Sequence, residues 1–157
     1  MNAGITLVEV LVAVLVLSIG LLGLATLQMN SLRFATSGHH RSVATMQAYD
    51  LIDRMRANSA GVDTGAYDNP SSPSTTAACL TTSGCTATQL AHHDIADWNT
   101  HNAQLLPNGA GTVCVDSDPT DGTACDGTGT RYSITVSWSE RERSGPATHS
   151  FFLTFEP

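Results

Sequence analysis

Residues 5–27 form a nearly unbroken apolar run, and Glu9 is the one charged side chain inside it. About 20 apolar residues in a helix cross a hydrocarbon core, so this run is long enough to span a bilayer. A charged side chain at mid-membrane costs roughly 2.5–3.5 kcal/mol on insertion scales. The chain must therefore carry an apolar N-terminal helix, and Glu9 must meet a partner that offsets its cost.

An ordinary secretory signal ends its short apolar core in a small-residue cleavage site. Here the run is too long and no clear small-x-small site follows it. The small-residue junction near Glu9 lies before the run, at Gly4 and Ile5. Gly4-Ile5-Thr6-Leu7-Val8-Glu9 resembles the class III leader of type IV pilins and pseudopilins. The resemblance implies that residues 1–4 are a leader and that a membrane prepilin peptidase cuts after Gly4. It also implies that the new amine on Ile5 is N-methylated and that Glu9 is the fifth residue of the mature chain. Glycine suits the cut, because without a side chain the backbone is open to close approach. An Ile5 ammonium on a neighbouring subunit would sit at the depth of Glu9. Pairing would compensate both charges and fix the axial register of one helix on the next. A plain signal anchor with a stray acid is the alternative. The family's leaders are usually basic and its mature chains usually begin with Phe. Here the leader has neither Lys nor Arg, and the mature chain would begin with Ile5. A start upstream of Met1 would account for the first difference.

The chain is acidic, with a formal net charge of −7, and all seven of its basic residues are Arg. That gives no electrostatic footprint for nucleic acid. Four cysteines, Cys79, Cys85, Cys114 and Cys125, lie beyond the apolar run. An even count in an exported domain reads as disulfides. Local pairing, Cys79 with Cys85 and Cys114 with Cys125, would close two short Gly/Thr-rich loops, and crossed pairing is the alternative. A four-thiolate zinc site would need tighter C-x2-C spacing.

The helical pattern continues past the apolar run to about Asn58, a helix roughly 80 Å long at about 1.5 Å per residue. Gly20 and Gly23 interrupt the span and either are ordinary membrane-helix glycines or loosen the helix during packing. From residue 28 the segment is amphipathic: Val43, Met46, Tyr49, Ile52 and Met55 are read as the buried stripe. Asn58, Ser59, Ala60 and Gly61 are read as its stop, tolerant of left-handed geometry. Residues 63–88 read as a Pro/Ser/Thr-rich loop. A second helix is expected over residues 88–106, with Ala91, Ile95, Trp98 and Leu105 as its apolar stripe. Strands follow at 112–115, 131–139 and 149–156, with residues 140–146 as a charged hairpin loop. Tyr132, Ile134, Val136 and Trp138 share one strand face, and Phe151, Leu153 and Phe155 share another.

Asp53-Arg54-Met55-Arg56-Ala57-Asn58, with Tyr67 after a Gly-bearing spacer, resembles the head junction of the PilV family of minor type IV pilins. Leu15-Val16-Leu17-Ser18-Ile19-Gly20-Leu21-Leu22-Gly23-Leu24 points the same way. Asp53 and Arg56 alone read as an exposed ion pair three residues apart, worth a few tenths of a kcal/mol.

The chemistry-bearing residues are sparse. Asp116, Asp118 and Asp121 are hard oxygen ligands of the type that holds calcium. Their spacing fails the EF-hand loop, since Asp121 stands where Gly is needed. An acidic turn closed by Cys114 and Cys125 is the favoured reading. His93 and His101 are eight apart, not four, so they make no adjacent ligand pair, and His39 and His40 read as solvated-face residues. No nucleophile elbow, phosphate loop or nucleotide fingerprint is present, which argues against an enzyme and against any cofactor.

The expected architecture is α+β and type IV pilin-like: a long N-terminal helix on an antiparallel sheet, with a second short helix. The expected segments are a leader (1–4), the membrane and assembly half of the helix (5–27), its amphipathic half (28–58) and a globular head (59–157). The resemblance implies a minor pilin anchored once in the inner membrane, head in the periplasm, then carried into the pilus on the cell surface. Its partners would be the major pilin, other minor pilins, the prepilin peptidase and the inner-membrane assembly machinery. A type II secretion pseudopilin and an adhesive module on a pilin anchor are the alternatives.

Overall fold

The computed structural model describes Gly4 and residues 6–118, 125–142 and 144–157. The chain falls into two compact units, Met1–His39 and His40–Pro157, and one helix, α1 (Leu7–Ala57, 51 residues), contributes to both. The helix starts where Thr6 Oγ1 accepts the Glu9 N–H at 3.3 Å, which satisfies one of the first-turn amides that have no helical partner.

In the first unit the apolar side chains of α1 are exposed: Leu11 is 61% exposed, Leu17 63% and Leu22 70%. Two hydroxyls among them are satisfied internally. Ser18 donates to the Val14 carbonyl at 2.7 Å and Thr26 to the Leu22 carbonyl at 3.1 Å. That local back-bonding satisfies these two hydroxyl hydrogens without water. The helix runs unbroken through Gly20 and Gly23.

In the second unit α1 buries Ala44, Ala48, Leu51, Ile52 and Met55. This corrects the expected stripe, for Met46 is 68% exposed and Tyr49 53%. The reason is geometric. Steps of three residues advance about 300° and drift off a helical face, whereas alternating steps of four and three stay on it. Two alanines, not two bulky residues, occupy that face, and they let the rest of the head come close.

The chain does not stop at Asn58 with left-handed backbone. Asn58 has φ −118° and caps a second short helix, α2 (Ser59–Asp63), its Oδ1 accepting the Gly61 N–H at 3.3 Å. Gly61 is required by space: a Cβ there would fall 2.5 Å from Asn58 Nδ2 and 3.1 Å from the Ala87 carbonyl oxygen. The Pro/Ser/Thr-rich segment that follows contains a single 3₁₀ turn, Ala77–Leu80.

Helix α3 (Ala87–Leu105) begins with a capping box: Thr86 Oγ1 accepts the Gln89 N–H while Gln89 Oε1 accepts the Thr86 N–H. Its buried face is Ala91, His93, Asp94, Ile95, Trp98 and Asn102. Leu105 is exposed. Leu106 is buried in its place, because the backbone turns extended there (φ −124°, ψ 139°) and swings the next side chain inward.

Strands β1 (Ala110–Val115), β2 (Tyr132–Glu142) and β3 (Gly145–Phe155) form an antiparallel sheet in that order. Tyr132, Ile134, Val136 and Trp138 of β2 are buried on alternate positions, opposite Phe155, Leu153, Phe151 and His149 of β3. Most of the expected hairpin loop is strand: the ladder continues through Glu140–Ala147 and Arg141–Pro146 to Glu142–Gly145. Arg141 and Glu142 are exposed there, Glu140 is mostly covered and accepts the Trp138 Nε1–H at 2.7 Å, and Pro146 lies on an edge strand, where a missing N–H is tolerated. The core joins α1, α3 and the sheet through Leu51, Met55, Tyr67, Trp98, Val113, Ile134 and Val136. One face of the sheet is covered by helix, the arrangement that an antiparallel sheet with one apolar face requires.

Candidate functional site

Among the described residues, two places stand out for their polar chemistry. The first is the start of α1. Glu9 is the acidic residue of its first turn, where the partial positive charge of the helix terminus favours a carboxylate. With Val10, Ala13, Val14 and Leu17, Glu9 lines a shallow apolar hollow along the helix. Gly4 is exposed, and Ile5 lies outside the described residues.

The second is a buried polar lock that ties α1 to α3. Arg54 is its centre. Its Nε donates to Asp50 Oδ2 at 2.9 Å, its Nη1 donates to Asp97 Oδ2 at 2.8 Å, and the same Nη1 stands 3.9 Å from Asp94 Oδ1. Tyr67 donates its hydroxyl to Asp94 Oδ2 at 2.6 Å and accepts from Asn58 Nδ2 at 3.2 Å. Asn58 Nδ2 also donates to the Ala87 carbonyl at 2.8 Å. One chain of bonds thus runs from the end of α1, through the α2 cap and Tyr67, to two carboxylates of α3. Because Asp94 and Asn58 are buried, each bond replaces water that the core has removed.

The electrostatics follow from that burial. Desolvation pushes the Asp94 carboxyl above its usual range, with the Tyr67 bond and the Arg54 charge opposing it. Burial pushes the Tyr67 phenol well up, and the bond to Asp94 adds to this. Asp97 moves the other way: burial would raise it, but the bond to Arg54 outweighs that and holds it low. Arg54 is drawn down by burial, yet its bonds to Asp97 and Asp50 leave it more basic than usual.

The sequence singled out Asp53 and Arg56, and they do pair, at 3.1 Å, but both are well exposed. Arg54, which lies between them, is the one that reaches across the head. Its partner Asp97 is 43 residues away. No spacing rule reveals such a pair. A signal was available for α3 itself, since Thr86-Ala87-Thr88-Gln89 has the capping-box pattern.

The remaining candidates fall as follows. Cys79 is bonded to Cys85 and Cys114 to Cys125. Asp116 is buried, and its Oδ1 accepts the Asp118 N–H at 3.2 Å, an Asx turn. Asp121 lies outside the described residues, and among the described residues no three His, Cys, Asp or Glu side chains gather as a metal site. Asp126 accepts from Ser117 N at 3.2 Å, from the Ser117 hydroxyl and from Thr128 N at 2.8 Å. Those bonds, the Ser117 hydroxyl's first, hold its carboxyl down at about 2. His40 corrects an expectation: it is half-buried, with Nδ1 3.4 Å from Glu140 Oε1. His93 is buried, and its Nδ1 accepts the Thr76 N–H at 3.0 Å.

The family model for type IV pilin Tt1218 matches residues 26–96. The prokaryotic N-terminal methylation motif matches residues 1–25. Over these two stretches the chain is similar to type IV pilins. No curated protein and no solved structure matches it. The pilin match contains Arg54, Asn58, Tyr67 and Asp94, so most of the buried lock lies within the matched part of the chain, while the sheet lies beyond it. The apolar part of α1 is long and apolar enough to cross a membrane.

Proposed function

We propose that this chain is a minor pilin of the PilV type, entering or priming the type IV pilus. The observation that carries this reading is the start of α1: one carboxylate, Glu9, in the first turn of a helix whose apolar half has none of its side chains buried within the chain. In a bilayer those side chains would face lipid. In a filament they would face the helices of neighbouring subunits. That exchange has little hydrophobic driving force of its own, so specificity falls to packing and to Glu9. Cleavage after Gly4 would free the amine of Ile5, and the Ile5 ammonium of one subunit would pair with Glu9 of the next. The precursor would cross the inner membrane once with its head in the periplasm. Its partners would be the peptidase, the major pilin and other minor pilins. The Asp53–Asn58 region and Tyr67 support a pilus role over a secretion pseudopilin, since the pilin family match spans them.

The test is the N-terminal mass of the mature protein. A methylated Ile5 is expected, and an N-terminus at any other residue overturns the leader assignment. Glu9→Ala should still be inserted and cleaved but should enter pili poorly. Incorporation at the wild-type level would remove Glu9 from assembly.

A further inference from the structure

The loop between α2 and α3 is held against α3 by a histidine that acts as an acceptor. The Thr76 backbone N–H donates to His93 Nδ1 at 3.0 Å, and His93 is 8% exposed. A backbone N–H can only donate, so the ring must offer a lone pair at Nδ1, and its proton must sit on Nε2. An imidazolium has no such lone pair: both ring nitrogens become donors. Gaining one proton therefore replaces an attraction with a donor–donor clash at a buried contact.

We propose that the His93–Thr76 contact is a pH-released clasp on this loop, closed while His93 is neutral and opened by its protonation. On its own helix, Asp94 and Asp97 lie close enough to feel its charge. From α1, Arg54 faces the same two carboxylates and offsets part of that attraction. Among the other elements packed on α3, α2 contributes one ionisable group, Asp63, while the 3₁₀ turn and β1 contribute none. The loop between Asn69 and Thr86 holds no Asp, Glu, Lys, Arg or His, and its two cysteines are disulfide-bonded. The loop itself thus carries no ionisable side chain, and on α3 the other ionisable groups near the contact are His92, Asp94, Asp97 and His101.

The consequence lies beside the clasp. Pro73, Ser74 and Thr75, immediately before Thr76, form one wall of a cleft whose other wall is Ala96, Asn99, Thr100, Ala103 and Gln104 of α3. Releasing Thr76 frees that wall, so the cleft widens in acid and closes at neutral pH. The surface that the head presents then differs between the two conditions, while the lock at Arg54 keeps the helices in place.

Amide hydrogen exchange on the full chain in detergent tests this, with rates corrected to protection factors. The Thr76 amide should lose protection as pH falls, by about tenfold per pH unit once His93 begins to protonate. The Leu106 amide, bonded to the Asn102 carbonyl inside the same unit, should hold its protection. His93→Gln keeps an acceptor that does not titrate, so Thr76 protection should become flat with pH. Should that variant fold poorly, the wild-type chain still decides: the ring proton shift of His93 and the Thr76 amide shift should titrate with one midpoint. Flat Thr76 protection in the wild type, an unchanged fall in His93→Gln, or two separate midpoints would each overturn the clasp.

Discussion

The Tyr67 hydroxyl donates to Asp94 Oδ2 at 2.6 Å, while Arg54 Nη1 stands 3.9 Å from the other oxygen of the same carboxylate. Two donors from two different segments thus meet one buried acid on α3. Tyr67→Phe removes one of them and leaves the carboxylate short of a partner, which costs about 1–3 kcal/mol. The cost depends on pH in a defined direction. The Asp94 carboxyl titrates above its unfolded range, so its contribution is complete below the unfolded value and is lost as pH rises through the folded one. Without the Tyr67 bond, the folded value rises further. The Tyr67→Phe deficit should therefore be larger at neutral pH than in acid, and thermal melts of both chains across pH will show whether it is.

Arg54 and Arg56 sit two residues apart on α1 and should behave very differently. Arg54 is only 24% exposed in its side chain and meets three carboxylates; Arg56, 62% exposed, meets Asp53. Replacing Arg54 with Gln strands Asp94 and Asp97 next to each other. That should cost about 1–3 kcal/mol, between the value of an exposed pair and that of a fully buried one. Replacing Arg56 with Gln loses an exposed pair and should cost under about 1 kcal/mol. Equal melting shifts for the two variants would refute the lock.

Much of the fold is legible in the amino-acid sequence. The alternation at Tyr132, Ile134, Val136 and Trp138 predicts the central strand, because a sheet with one buried face repeats every two residues. The helix pattern predicts α1 to within two residues of each end. What stays hidden has a physical cause in each case. Ala44 and Ala48 bury because small residues permit close packing, and an argument from bulk passes over them. Leu106 rather than Leu105 is buried because the backbone leaves the helix there. Arg54 finds Asp97 only through the packing of α1 on α3. The first turn of α1 is readable for another reason: Gly4 and Glu9 are close in sequence, so their spacing survives without knowledge of the fold.

Asp126 should account for part of the head's acid sensitivity. Its carboxyl is held at about 2 by Ser117 and Thr128. A depressed value means that its contribution is present above the unfolded value, about 3.9, and is lost as pH falls toward 2. Asp126→Asn lacks this contribution at every pH. The melting temperatures of the two chains should therefore differ at neutral pH and converge as the pH drops through that window. Asp97, also held low, will steepen the acid limb of both chains alike. A gap that stays constant down to about pH 2 would show that Asp126 is not stabilised as a carboxylate.

Gly111 is the point where α3 docks on the edge strand β1, and it should tolerate no side chain. Asn99 holds the glycine by both peptide groups: its Nδ2 donates to the Gly111 carbonyl at 3.1 Å, and its Oδ1 accepts the Gly111 N–H at 2.6 Å. The Trp98 ring lies directly over the α-carbon, so that a Cβ would fall 2.1 Å from Cη2 and 2.3 Å from Cζ3. Trp98 cannot easily give way, because its Nε1 is anchored on the Gln47 carbonyl of α1 at 2.8 Å and the ring is fully buried. Gly111→Ala should then cost about 1–3 kcal/mol by overpacking. Gly38→Ala provides the contrast. It sits inside α1, where a Cβ would meet nothing within 4 Å, so alanine should leave the fold intact and strengthen the helix by up to about 1 kcal/mol. Opposite shifts in melting temperature are expected for the two variants, together with a blue-shifted or broadened tryptophan emission in Gly111→Ala alone. If Gly111→Ala melts like the wild type with unchanged emission, Trp98 does not lie against β1 as described.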